Sequence, residues 1–293
     1  MATEILTEIP PVVHKAMTRI GDIATLPEVT VKIINLVEDP RSTARDLHEV
    51  IKTDPALSAR LLKVVNSAFY GLPGQVATVD RAIVLLGLST VKNIAIAASI
   101  GRLFTGARLS ESYTARDVWR HSVGVAVLSR QLYKHAFPGQ PDADEAFLAG
   151  LIHDLGLLVE RQAFPDELVQ VIDRATTSGE SFCDIEEEVL GANHQQFGSA
   201  LAGKWKFPPR LRTILGYHHG VDVLAPEHRP MTNLIHVADI AVAQAEIGFP
   251  LTADRSVAVE ELLPSLNISA ELFAEIREAL PDYVESAEAT LTE

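Results

Sequence analysis

Residues 145–160 read Glu-Ala-Phe-Leu-Ala-Gly-Leu-Ile-His-Asp-Leu-Gly-Leu-Leu-Val-Glu. Apolar side chains at Phe147, Leu148, Leu151, Ile152, Leu155 and Leu158 recur at three- and four-residue spacing. That period predicts one amphipathic, mostly buried helix from Glu145 to Glu160. His153 and Asp154 stand side by side in its middle. A buried polar group without a partner costs free energy, so each needs hydrogen bonds or a metal ion.

Outward from this stretch the same helical period continues, and sustained period-two alternation is missing, so the fold class is all-α. N-terminally, Pro138–Asp142 predicts a loop and Val118–Tyr133 a helix carrying His121. C-terminally, Pro165, Ser178-Gly179, Gly191, Pro208-Pro209 and Gly220 punctuate further helices. Another helix runs through Leu234, Ile235, Val237, Ala238, Ile240 and Ala241, and two acidic amphipathic helices around Pro264 and Pro281 form the tail. In the first hundred residues the start signals are sharper. Asp54-Pro55 predicts an N-cap followed by proline at the first helical position, and Ser42 or Thr43 caps a helix Ala44–Lys52. Pro27 opens a helix that Asp39-Pro40 closes. Gly87 ends one helix, and Ser89 is the expected cap of the next, Thr90–Leu103. Short helices joined by tight turns resemble a helix-turn-helix. No Arg/Lys-rich face accompanies them, so a compact bundle is favoured over DNA docking.

The net charge is −14 and is unevenly placed. Residues 1–105 carry 11 basic against 10 acidic side chains, and residues 106–293 carry 14 against 29. Such a protein is a poor binder of the phosphate backbone, which argues against DNA as a partner. The single cysteine, Cys183, excludes an internal disulfide and fits a reducing cytoplasm. Cys183 reads as an inert residue, and Trp119 and Trp205 as core. The N-terminus lacks a basic region followed by an apolar run, and Lys92 and Asn93 interrupt the apolar region Ala82–Ile100. Neither a signal peptide nor a membrane span is expected.

Six of the ten histidines and two aspartates fall on predicted helices of the second half: His121, His153, Asp154, His194, His218, His219, His236 and Asp239. Imidazole and carboxylate are the usual ligand pair for Fe, Mn, Ni or Zn, and helical bundles collect such ligands from several helices. Taken singly, a buried histidine is more often a hydrogen-bonded core residue. Spacing alone leaves metal ligation and core packing both open.

The order His121 … His153-Asp154 … Asp239 is similar to the pattern of the HD-domain metal-dependent phosphohydrolases. His194 in Asn-His-Gln-Gln-Phe-Gly and His218-His219 resemble the extra ligands of two-metal members, including the HD-GYP class. The first half narrows the resemblance. Leu26-Pro27 with Val31-Lys-Ile33, then Asp54-Pro55 through Asn66-Ser67 to Phe69-Tyr70-Gly71, then Ala82–Gly87, looks like the HDOD domain. The resemblance covers roughly residues 20–245. It implies a leader over 1–19, an N-terminal helical lobe over 20–105, an HD-like lobe over 106–245 and an acidic helical tail over 246–293. Two features depart from HD-GYP proteins. Leu157 stands where that class has lysine, and Val-Asp-Val-Leu follows Gly220 in place of a Gly-Tyr-Pro element. Both argue against cyclic-di-GMP hydrolysis.

By resemblance, His121, His153, Asp154 and Asp239 form a first metal site. Asp154 bridges to a second ion held by His194 and by His218 or His219. Asp117, one turn before His121, is a ligand, an orienter of the site or a surface acid. His236 shares a helix face with Asp239 and is expected to be structural. The implied function is regulatory: a module that holds one or two divalent transition-metal ions and signals through a protein partner. The tail helices, expected to be free, would suit docking. The alternative is a metal-dependent phosphohydrolase acting on a nucleotide or cyclic dinucleotide. That chemistry needs a phosphate clamp. Lys204, Lys206, Arg210 and Arg212 are the nearest basic cluster, which a solvated helix end explains equally well.

Overall fold

The computed structural model describes residues 9–21, 26–39, 41–67, 69–104 and 108–291. Residues 1–8 of the expected leader, and Pro40 as a helix stop, lie outside the described residues. All regular elements among the described residues are helical, as the apolar period predicts.

The first lobe comprises α2 (Glu28–Glu38), α3 (Ala44–Ile51), α4 (Pro55–Val65), α5 (Val79–Leu86) and α6 (Leu88–Ile100). Local chemistry sets several of their starts. Thr43 closes a capping box with Asp46 ahead of α3, and Asp54 accepts from Leu57 N at 2.9 Å ahead of Pro55. Gly87, at φ 88°, ends α5 and begins α6 with no residue between them, so Ser89 lies inside the helix rather than capping it. α6 ends at Ile100 and tightens into a 3₁₀ turn, Gly101–Phe104. From Val91 to Ile100 every residue of α6 is buried. A helix buried all round belongs inside a core, and α2, α3, α4 and α5 pack around this one.

The second lobe is built on α7 (Ala115–Ala136), α8 (Ala143–Ile152), α9 (Leu155–Ala163), α10 (Pro165–Ser178), α11 (Phe182–Leu190), α12 (His194–Lys204), α13 (Pro209–Tyr217) and α14 (Arg229–Gln244). α7 packs against α8 and α14, and α12 against α9 and α13. α6 packs against α8 and joins the lobes. Trp119 and Trp205 are core residues, as expected. The helix α1 (Pro11–Arg19) packs on α9 and α12, with the Arg19 guanidinium donating to the Ala163 carbonyl at 3.3 Å.

Two expectations need correction. The stretch 145–160 is two helices, not one. α8 and α9 meet at a turn formed by His153 and Asp154, where Asp154 adopts φ −95°, ψ 20°. Leu157 N bonds the Asp154 carbonyl in a tightened i→i+3 contact, and this bridge region of backbone space is one where active-site residues often sit. Periodicity could not show the break, because residues on both sides are apolar. Nor is the tail free. It forms α15 (Val259–Leu262), α16 (Ala270–Glu278) and α17 (Leu280–Leu291). α17 packs on α7 and on α4, with buried Glu288 accepting from Arg116 Nε at 3.2 Å and Lys63 Nζ donating to the Ala289 carbonyl at 3.1 Å.

Candidate metal centre

Six of the expected ligands converge with no exposed surface: His121 from α7, His153 and Asp154 from the α8–α9 turn, His194 from the first position of α12, His218 after α13, and Asp239 from α14. His219 joins them with 13% of its side chain exposed. The donor atoms fall into two groups, Asp154–His194–His218–His219 and His121–His153–Asp239.

The ring orientations are set by what holds Nδ1. His153 Nδ1 lies 2.7 Å from the Gly150 carbonyl, His218 Nδ1 3.2 Å from the Leu215 carbonyl, and His194 Nδ1 2.8 Å from a Glu186 carboxylate oxygen. Each partner accepts here, so each Nδ1 carries a hydrogen, and in the neutral form the His194 and His218 rings point a bare Nε2 inward. His194 Nε2 and His218 Nε2 are then 3.3 Å apart, and both face Asp154 Oδ1, at 3.4 and 3.5 Å. Three lone-pair atoms facing one another repel unless a cation lies between them. Ligand bonds of about 2.1 Å place neighbouring donors roughly 3.0–3.4 Å apart, close to the observed triangle.

The other group follows the same logic. His153 Nε2 faces Asp154 Oδ2 at 3.3 Å and Asp239 Oδ1 at 3.7 Å, while His121 Nε2 is 2.9 Å from Asp239 Oδ1. His153 Nε2, Asp154 Oδ1 and Asp239 Oδ2 are buried without a hydrogen-bond partner. Buried polar atoms in native proteins rarely stay unpaired. The two oxygens of Asp154 thus face different groups. The residues fit a centre for one or two transition-metal ions.

Burial opposes charge on His153, but Asp154 and Asp239 outweigh it and hold its pKa well above the imidazole range. Burial also opposes the Asp154 and Asp239 carboxylates, yet the surrounding imidazoles hold both well below the usual range. Burial pushes His218 and His219 down, which keeps them neutral and able to ligate.

His219 Nδ1 is 3.7 Å from Asp239 Oδ2, so His218 faces Asp154 and His219 faces Asp239. His236 stands 6.4 Å from the His219 ring, centre to centre. The Asp117 carboxylate is engaged elsewhere: it accepts from Thr114 N and Thr114 Oγ1, both at 2.7 Å, in the capping box of α7. Two members of the basic cluster are engaged elsewhere: Lys204 Nζ donates to the Met17 carbonyl, and Arg210 pairs with Asp142 and Glu145, while Lys206 is exposed. Cys183 is half-buried beside Glu186 and His194, and burial pushes its thiol pKa far up.

Four supporting residues were not anticipated. Glu186 holds His194. Glu160 is also fully buried, with neither carboxyl oxygen hydrogen-bonded, and burial together with the nearby Glu186 carboxyl raises its pKa well above the usual range, as burial does for Glu186. Gln195 Oε1 accepts from His219 N at 2.9 Å and pins the His218–His219 turn. Thr252 Oγ1 donates to Asp154 Oδ2 at 3.1 Å. A signal for Glu186 existed: it occupies the apolar stripe Phe182–Ile185–Glu186–Leu190 of α11, where a carboxylate is out of place.

Close backbone contacts seal the centre. A Cβ on Gly156 would lie 1.8 Å from the His194 carbonyl oxygen, so only glycine lets α9 meet the start of α12. Gly248, at φ 75°, passes against the backbone of Asp117 and His121, where a Cβ would come within 2.4 Å. Beyond it, buried Phe249 packs edge-on against Tyr113 and Phe182, at 4.9 and 5.9 Å. The segment Gly248–Thr252 therefore covers the ligands. Among the described residues no helix is long and apolar enough to cross a membrane.

A protein of Treponema pallidum (strain Nichols), itself uncharacterized, is 24% identical over 239 residues. The alignment takes in 82% of this chain but 46% of that protein, so the chain spans less than half the length of the curated relative it matches. An HDOD domain protein of unknown function from Geobacter sulfurreducens has a TM-score of 0.78 at 21% identity, over 95% of this chain and 97% of that one. A candidate metal-dependent phosphohydrolase from Shewanella amazonensis SB2B has a TM-score of 0.63 at 24% identity, over 91% of each chain. At such identities these likenesses concern the fold. The HDOD domain model itself matches residues 23–221, well over half of the sequence, and the chain belongs to the HDOD domain family.

Proposed function

We propose that this protein is a regulatory HDOD module that holds one or two divalent transition-metal ions, Fe, Mn, Ni or Zn, and acts in the cytoplasm through a signalling protein partner. The observation that carries the reading is the buried triangle of His194 Nε2, His218 Nε2 and Asp154 Oδ1, three acceptors at 3.3–3.5 Å. The burial of the ligands supports regulation over turnover, because a phosphoester must reach the ions to be cleaved. The engagement of Lys204 and Arg210 away from the ligands supports it too, since phosphoryl transfer needs a cationic clamp. The net charge of −14 favours a protein partner over DNA.

The second reading is a metal-dependent phosphohydrolase acting on a nucleotide or cyclic dinucleotide. It is supported by the two oxygens of Asp154, which face different donor groups as a carboxylate shared by two ions would. In such a centre a bound ion polarises a phosphoryl oxygen and lowers the pKa of bound water. The side chains of this protein would orient the ligands, with Thr252 and Glu186 holding Asp154 and His194 in place.

Elemental analysis of the purified protein, followed by a phosphoesterase screen with Mn²⁺ or Fe²⁺, separates the readings. Bound metal without turnover supports the regulatory module. Turnover that Asp154→Ala abolishes supports the hydrolase. A protein that takes up no transition metal from any loading solution overturns both.

A further inference from the structure

We infer that Glu186 is the residue that positions His194, and that it decides whether the Asp154–His194–His218 half of the centre takes an ion. The inference rests on the metal-binding reading above. His194 is the first residue of α12, and its capping box leaves its own backbone N–H unserved: Asn193 Oδ1 accepts from Gln195 N and Gln196 N. Glu186 fills that gap. Its Oε2 accepts from His194 N at 3.1 Å and from Nδ1 at 2.8 Å. One carboxylate thereby ties both ends of the His194 side-chain torsions, and the ring has a single orientation, with Nε2 toward Asp154 and His218.

The other two inward-facing rings are held differently. His153 and His218 each lean on a backbone carbonyl three residues earlier, a contact that no side-chain substitution removes. His194 alone of the three depends on a side chain from another helix. Groups that orient a metal-ligating histidine typically contribute 10–100-fold to metal affinity. The consequence here is selective: losing Glu186 disables one half of the centre and spares the His121–His153–Asp239 half.

The test uses the full chain with Co²⁺ as the probe, comparing wild type, Glu186→Gln and Glu186→Met. The near-isosteric Gln keeps one acceptor and guards against a variant that fails to fold; Met removes both acceptors. Calorimetric titration is expected to show two ions in the wild type. The weaker is lost by about 10-fold in affinity with Gln and about 100-fold with Met, and the other is unchanged. In the metal-free protein, two-bond ¹⁵N–¹H spectra are expected to show His194 protonated at Nδ1 in the wild type and shifted toward Nε2–H in Glu186→Met. Two ions bound with unchanged affinity in both variants, and a His194 tautomer that does not move, would overturn the inference and leave metal binding standing. A wild type that binds no Co²⁺ overturns the metal reading, while the tautomer measurement still decides the role of Glu186.

Discussion

Two kinds of buried polar network meet in this protein, and they treat their polar groups in opposite ways. In the first, the Lys92 ammonium sits inside the core and donates to the Leu36 carbonyl and Ser42 Oγ. Where the lobes meet, buried Asp144 accepts from Arg130 Nε at 2.8 Å, Thr90 Oγ1 at 2.8 Å and Tyr70 OH at 3.3 Å, and the guanidinium lies over the Phe69 and Tyr70 rings. Each of these named groups is hydrogen-bonded inside the protein. At the α8–α9 turn, His153 Nε2, Asp154 Oδ1 and Asp239 Oδ2 have none. A satisfied buried network specifies a fold, whereas an unsatisfied one points to something the chain alone does not supply.

The largest expected effect on stability lies at the satisfied network. Asp144→Ala leaves the Arg130 charge buried and unpaired, and is expected to cost roughly 3–5 kcal/mol in denaturant unfolding while the folded fraction keeps its metal. Gly156→Ala comes next. The clash of a Cβ only 1.8 Å from the His194 carbonyl oxygen must be relieved by separating α9 from α12, expected to cost about 3 kcal/mol and to weaken metal binding with it. Asp154→Ala should separate the two readouts: metal content falls to background, while the metal-free protein loses less stability than with Asp144→Ala, because the loss of the His153 pairing is partly offset by relief of the repulsion with His194 Nε2 and His218 Nε2. Equal destabilisation by Asp144→Ala and Asp154→Ala would erase the contrast between the two networks.

A pH titration sharpens it further. In metal-free protein the raised His153 pKa gives stability that is fully present below the ordinary imidazole value of 6.5 and is lost as pH rises through the raised value. The depressed Asp154 pKa gives stability present above 3.8 and lost as pH falls through the lowered value. Unfolding midpoints should therefore decline on the alkaline side, and added metal should remove that decline. The smallest expected effect is at Cys183: a thiol reagent at pH 8 should leave the folded protein unmodified and react once it is unfolded.

Features governed by neighbours in sequence were legible from the sequence. Asp54-Pro55, Thr43 and Gly87 act within three or four residues, and the structure uses each at a helix end, though Gly87 also takes the place expected for Ser89. The convergent histidines and aspartates were legible through their order along the chain. What escaped depends on distant contacts. The turn at His153–Asp154 is compatible with the same apolar period as a straight helix. Thr252 and Phe249 reach the site from a loop nearly a hundred residues beyond Asp154 in sequence. The docking of α17 hinges on buried Glu288 meeting Arg116, a pairing that acidic composition concealed.

The cover formed by Gly248–Thr252 sets a timescale. The six ligands without exposed surface would release an ion only through a local opening, and lifting that segment would draw Phe249 away from two aromatic rings. Exchange is then slow beside the fluctuations of free metal around the protein. Occupancy would record the supply present when each molecule folded, and the protein would behave as a memory of past metal rather than a gauge of the present.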